Sequence, residues 1–338
     1  MPAEFWPDVA RMALCGLLVA AAAVPVGFAA WLISKRNHQP IFLPIRRWSA
    51  PWSGYEVLIL FITATAAPTS LISPILSASG FYPAVYGPEA AQETWEPMQS
   101  LWSSVFFTPM FVGVVWCVLR LAYPNWRSGG FAPAPRVAGG IATWLILHPI
   151  VVAVHFAVLA VFLLQEWRPD SHPLETKFRE GRPVVDDILF AIQAALAAPL
   201  LEEVLFRGAL VPWLLGKRNR PAILMGLAIV LAVVFSIRQS DDGQTEMRAG
   251  SVIFAALLLA LGAVLHVRVK RHRRTMGAIY SSAALFALVH STVWPSPIPL
   301  FVLGLGLGWL TIRTRGILAP VIVHGLFNAV SVLFVLRG

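Results

Sequence analysis

The sequence predicts an all-α, polytopic transmembrane helical bundle of about ten spans, with its chemistry concentrated in the C-terminal half. Apolar residues make up 57% of the 338 positions and charged residues 13%, where a soluble chain carries roughly a quarter charged. Mean hydropathy is +0.71. The apolar residues fall in runs near the ~20 residues a helix needs to cross hydrocarbon. Between the runs sit short basic clusters, the usual composition of cytoplasmic loops. The net charge of +9 is spread over these loops, so no nucleic-acid partner is expected. Thirteen Trp suit interfacial anchoring, with some left for packing. Cys15 and Cys117 both lie within apolar runs. That excludes a disulfide framework and a cysteine zinc motif, and buried structural thiols are expected.

The expected spans run near 9–33, 55–76, 99–122, 138–164, 187–215, 221–237, 250–267, 277–294, 298–312 and 317–336. The first is longer than a signal-peptide apolar core, is interrupted by Arg11 and runs into Lys35-Arg36, so it reads as a retained span. Segments 221–237 and 298–312 are short for a crossing, which suggests tilt or re-entry. Basic loops, above all Arg268 to Arg274, alternate with acidic or mixed ones such as Gln165–Asp187 and Arg238–Arg248. The alternation puts both termini on the side away from the cytoplasm. The chain reads as one multi-pass integral membrane domain in contact with the lipid bilayer, taken as the plasma membrane of a bacterium. Residues 1–184 form accessory transmembrane helices, and 185–338 form the core that bears the motifs.

Ionisable groups at bilayer depth cost several kcal/mol each, and they mark function more often than packing. Three sets occur in order: Glu202-Glu203-x-x-x-Arg207, Phe286-x-x-x-His290 and His324-x-x-x-Asn328. On a helix Glu203 and Arg207 share a face in the order that favours pairing. Glu202 is turned about 100° away and is left free to act on a water. The bland alternative makes all three a buried ion network that pins helices. Phe286 lies one turn from His290 and can wall its imidazole. Asn328, one turn from His324, presents an amide suited to a developing oxyanion, or to a helix–helix hydrogen bond.

These three sets resemble the CAAX protease and bacteriocin-processing (Abi) membrane family, which includes the type II CAAX prenyl endopeptidases. Its pattern is Glu-Glu-x-x-x-Arg, Phe-x-x-x-His and His-x-x-x-Asn or Asp, matched here without departure over about residues 185–336. The resemblance implies an all-helical intramembrane endopeptidase acting on a membrane-associated protein or peptide. It implies Glu202 as general base, His290 as a holder of the attacking water, and His324 with Asn328 on the oxyanion side. Glu203, Arg207 and Phe286 are then supporting residues. No cofactor is expected. Zinc is the alternative, since Glu and His are ligands, but the chain has no His-Glu-x-x-His helix.

Two other classes stay open on the residues alone: a transporter with an intramembrane Glu/Arg/His relay, and a non-catalytic membrane scaffold. No internal repeat supports the transporter. His148 and His155 share a face of the fourth span, with Pro149 between them, and either line a substrate path or serve packing. Gly304, Gly306 and Gly308 follow no strand, so they suit close helix packing rather than a phosphate loop. His266 and His272 flank the basic loop and are expected in solvent.

Overall fold

The computed structural model describes residues 50–88, 98–124, 133–164, 184–217, 219–227 apart from 222, 237–239, 245–247, and 273–337 apart from 292. Isolated helical positions are also described at Leu14, Leu18, Ala21, Pro25 and between 254 and 264. Helix α1 (Gly54–Ala78) starts where the Ser53 N–H donates to the Glu56 carboxylate, half of a capping box. It passes through a wide turn at Pro68–Ile72. A short α2 (Phe81–Tyr86) leads to α3 (Gln99–Ala122), and α4 spans Pro133–Leu164. Helix α5 (Val184–Leu214) is followed by α6 (Arg273–Leu288), α7 (Pro297–Thr314) and α8 (Leu318–Arg337).

Five of these helices are long and apolar enough to cross a membrane: Gly54–Ala78, Gln99–Ala122, Gly139–Leu164, Val184–Leu214 and Pro297–Thr314. They fall on five of the ten expected spans. The expected 317–336 is also a helix, whose described apolar part is shorter. Segments 9–33, 221–237 and 250–267 lie mostly outside the described residues, so ten is not reached among them. The expected 277–294 ends earlier, at Leu288; His290 stands in the turn beyond it, since Trp294-Pro295 and Pro297 cannot continue a regular helix. Among the described residues one departure from an all-helical chain occurs, beginning at Ile237. Ile237–Gln239 pairs antiparallel with Thr245–Met247, Arg238 opposite Glu246.

Helix α7 is the axis of the bundle. In its span 56% of residues are buried, against 17–28% in the other four. Segment 298–312 is therefore a central helix, with neighbours on several sides. Its glycines make this closeness feasible. A Cβ on Gly304 would meet Ala283 at 3.0 Å, and one on Gly308 would meet Ile279 at 3.2 Å, both on α6; one on Gly306 would meet Leu147 of α4 at 2.3 Å. The glycine run is thus a packing device on two faces.

The N-terminal helices share a core with the C-terminal ones. Val57 and Ala64 of α1, Phe107 and Phe111 of α3, Val204 to Leu214 of α5, and Phe286 of α6 form one apolar cluster. Outward-facing positions on α1 and α3 are apolar as well (Leu58, Ile59, Ile62, Met110, Val114, Leu121), a surface suited to lipid. Cys117 belongs to this outer face. It is exposed and unpaired, contrary to the buried thiol expected, because α3 offers only one side to the bundle; Cys15 lies outside the described residues. At the start of α5, the Tyr86 hydroxyl donates to Asp186 at 2.6 Å and accepts from Trp102 Nε1 at 3.1 Å. Burial, then the hydrogen bond to Asp186, push the Tyr86 phenol above its ordinary range.

Candidate active site

Helix α5 is not a uniform α-helix. Wide π turns occupy Gln193–Ala197 and Glu203–Leu210, where the N–H of Ala198 reaches back to Gln193 and that of Val211 to Phe206. Such turns recur at functional sites because they rotate side chains out of α register. Pro199 and Pro212 each follow one of them. The i+5 partner of Ala194 is Pro199, which has no N–H, so the Ala194 carbonyl loses its backbone donor. Asn328 of α8 supplies one: its Nδ2 donates to Ala194 O at 2.9 Å. Gly325, one turn earlier, lets α8 come this close, since a Cβ there would sit 2.7 Å from Ala195 O.

Glu203 and Arg207 form a buried ion pair at 2.9 Å, with both side chains at 0% exposure. The guanidinium also donates to Gly304 O at 3.4 Å and lies 4.6 Å from the Phe286 ring. The same Glu203 oxygen accepts from His324 Nδ1 at 3.0 Å. His290 Nδ1 is 2.8 Å from Phe286 O. A carbonyl and a carboxylate can only accept, so each imidazole carries its hydrogen on Nδ1 and turns Nε2 elsewhere. Both Nε2 atoms turn toward Glu202: His290 Nε2 lies 3.9 Å from one carboxylate oxygen and His324 Nε2 3.7 Å from the other. Glu202 and His290 keep 25% and 33% exposure, whereas His324 keeps 3%. The open side of the site is therefore the Glu202–His290 side.

The fold thus brings together Glu202, Glu203, Arg207, Phe286, His290 and His324. Asn328 joins through its clamp on Ala194. Phe286, fully buried, touches both imidazole rings, at 5.0 Å for His290 and 5.5 Å for His324. Among the described residues His148 makes no contact with this group; its ring lies tilted against Trp144 and edge-on to Phe327, and His155 lies against Phe156, as packing residues do. His266 and His272 lie outside the described residues. Sequence reasoning missed Phe206, which packs edge-on against Phe286 at 5.3 Å, although its place beside Arg207 was a signal. It also missed Ala194 and Gly325, which only the backbone geometry reveals. Among the described residues no group of three or more His, Cys, Asp or Glu is arranged to hold a metal ion. The separations of 3.7 and 3.9 Å exceed the roughly 3.3 Å edge of a tetrahedral zinc sphere with ~2.0–2.1 Å bonds.

Removal of the Asn328 amide should loosen the helix that carries Glu202. Asn328→Ala is expected to lower stability by about 1 kcal/mol, the modest end because Ala194 is half-buried, and to lower activity with it. Thermal unfolding in detergent micelles reads the first effect. Loss of activity at an unchanged melting temperature would assign the amide to the chemistry alone.

Fold and site define the class first: a multi-helix integral membrane protein with a carboxylate–imidazole centre inside its bundle. A family model described as "Type II CAAX prenyl endopeptidase Rce1-like" matches residues 184–276 and 258–330. That segment holds every site residue named above, and over it the chain is similar to the type II CAAX prenyl endopeptidases. No curated protein and no solved structure matches the chain.

Proposed function

We propose that this protein is an intramembrane endopeptidase of CAAX type that hydrolyses a peptide bond of a membrane-associated protein with a water activated by Glu202. The observation that carries the reading is the gap between the Glu202 carboxylate and the two Nε2 atoms. Separations of 3.7 and 3.9 Å are too long for a direct hydrogen bond, and a water about 2.8 Å from both groups can sit beside the line that joins them. With both Nδ1 hydrogens engaged, the carboxylate and the Nε2 atoms all present lone pairs. A water there donates one hydrogen to the carboxylate and the other to one Nε2, and points its own lone pair outward, toward the open side.

In this reading Glu202 takes a proton from the water as its oxygen bonds to the substrate carbonyl carbon. The carbonyl electrons move to oxygen, forming a tetrahedral oxyanion. When that intermediate collapses, the C–N bond breaks and the protonated Glu202 returns its proton to the leaving amine. Glu203 is held by Arg207 and His324, so it serves as the fixed charge that orients His324. His290 and His324 hold the water, and the second Nδ2 hydrogen of Asn328 is the donor assigned to the oxyanion side. No cofactor enters the scheme. The membrane is taken as a bacterial plasma membrane, and residues 1–184 as accessory helices.

The test is cleavage by purified protein in detergent of a farnesylated peptide ending in Cys-aliphatic-aliphatic-X, beside the same peptide unprenylated. Cleavage of the farnesylated peptide is expected, unchanged within about twofold after treatment with a strong chelator. Activity that vanished on chelation and returned only with zinc would overturn the glutamate mechanism and make the histidines ligands.

A further inference from the structure

We propose that helix α1, which lies outside the family-matched segment, is a working part of the site, and that Phe61 is a positioning residue for both imidazoles. The inference rests on the reading of Glu202, His290 and His324 as the active centre. Its basis is a continuous line of edge-to-face ring contacts. Phe61 meets Phe206 at 5.1 Å and 89°, and Phe206 meets Phe286 at 5.3 Å and 87°. Phe286 then meets His324 at 5.5 Å and 85°, and His290 at 5.0 Å and 57°. Each contact falls in the range where aromatic pairs prefer a T-shaped or tilted geometry.

The imidazoles need such support. Each is held by one hydrogen bond, from Nδ1 to Glu203 or to Phe286 O, and one bond leaves the ring free to swing about its axis. Swinging moves Nε2, the atom that faces Glu202. Phe286 blocks the swing of both rings, and Phe286 is set in turn by Phe206. Phe206 sits in the π turn Glu203–Leu210, where the backbone lacks regular α-helical bonding to fix its side chains. Phe61 packs edge-on against Phe206 in turn. The Arg207 guanidinium depends on the same rings, at 5.6 Å from Phe206 and 4.6 Å from Phe286.

A second tie from the same helix end meets the far end of the π turn. Trp52 Nε1 donates to Ala209 O at 3.1 Å, and Ala50 N–H donates to Pro212 O at 3.1 Å. Gly54 lies so near Trp213 that a Cβ would stand 3.1 Å from the indole. The segment leading into α1 therefore fixes the stretch that carries Phe206, and Phe61 transmits that placement inward.

The experiment compares native protein with Phe61→Leu, Phe61→Tyr and Phe286→Leu, alone and as the double variant Phe61→Leu/Phe286→Leu, on the farnesylated peptide. Phe61→Leu keeps most of the apolar volume and loses the ring; Phe61→Tyr keeps the ring. Expected are a fall in kcat of about tenfold for Phe61→Leu with KM within about twofold, recovery to near native in Phe61→Tyr, and non-additive losses in the double variant. Native kcat in Phe61→Leu, equal losses in the Leu and Tyr variants, or strictly additive losses would overturn the proposal. So would a loss that only tracks the yield of folded protein. Phe61→Met is the substitute if the Leu variant does not accumulate. Glu202→Gln runs alongside: if it cleaves like native protein, the site itself is misread, whereas a dead Glu202→Gln beside a native-like Phe61→Leu refutes only the relay.

Discussion

Glu202→Gln protein is expected to insert, fold and melt like the native protein, and to lose at least about a hundredfold in turnover. The substitution changes one oxygen to an NH2 group and keeps the shape. The Glu202 side chain is a quarter exposed and makes no short hydrogen bond among the described residues, so little folding energy depends on it. What it loses is the acceptor for the water's proton. The new NH2 group is also a donor at the place where a hydrogen of the water has to be accepted. Both effects act on the same step. The check is single-turnover cleavage of the farnesylated peptide by purified variant, with melting temperature measured on the same sample. Turnover within about tenfold of native would remove Glu202 from the role of base.

The pairing of Glu203 with Arg207 and the freedom of Glu202 were legible in the sequence, because four-residue spacing on a helix has one geometric meaning. The pairing survives even in a π turn, where neighbours shift by less than the reach of an Arg side chain. The meeting of His290 and His324 at Glu202 was legible only as an inference from cost: polar groups at depth seek one another. What the sequence hid was backbone. Two π turns in α5 cannot be told from spacing, although Pro199 and Pro212 mark where a regular helix must fail. The Asn328 bond to Ala194 follows from that failure, so it was hidden too. Helix ends misled as well. Residues 277–294 read as one apolar run, but the prolines at 295 and 297 stop the helix early and put His290 in a turn at the mouth of the site. The exposure of Cys117 shows a further limit, since an apolar run says that a helix is in lipid or core but not which face meets which.

Arg207→Ala is expected to act chiefly on the fold, lowering stability by about 3–5 kcal/mol, the usual result of leaving a buried charge without its partner. Arg207 and Glu203 are both at 0% exposure, so no water replaces the lost guanidinium. Glu203 would keep only the His324 hydrogen bond on one oxygen, Gly304 O would lose its side-chain donor, and the faces of Phe286 and Phe206 would lose their cation. The bundle would be opened where α5, α6 and α7 meet. Low yield and a lower melting temperature in detergent should therefore accompany any loss of cleavage. Arg207→Lys keeps the charge but replaces a planar fork with a single ammonium, which cannot hold Glu203 and Gly304 O in the same arrangement, so it should rescue only in part. Removal of both charges gives the sharper comparison. Glu203→Gln/Arg207→Met leaves no unpaired ion, so it should melt above Arg207→Ala while remaining impaired in turnover, because His324 loses the carboxylate that orients it. An Arg207→Ala protein with native yield and melting but no cleavage would contradict this account and move Arg207 from the scaffold into the chemistry.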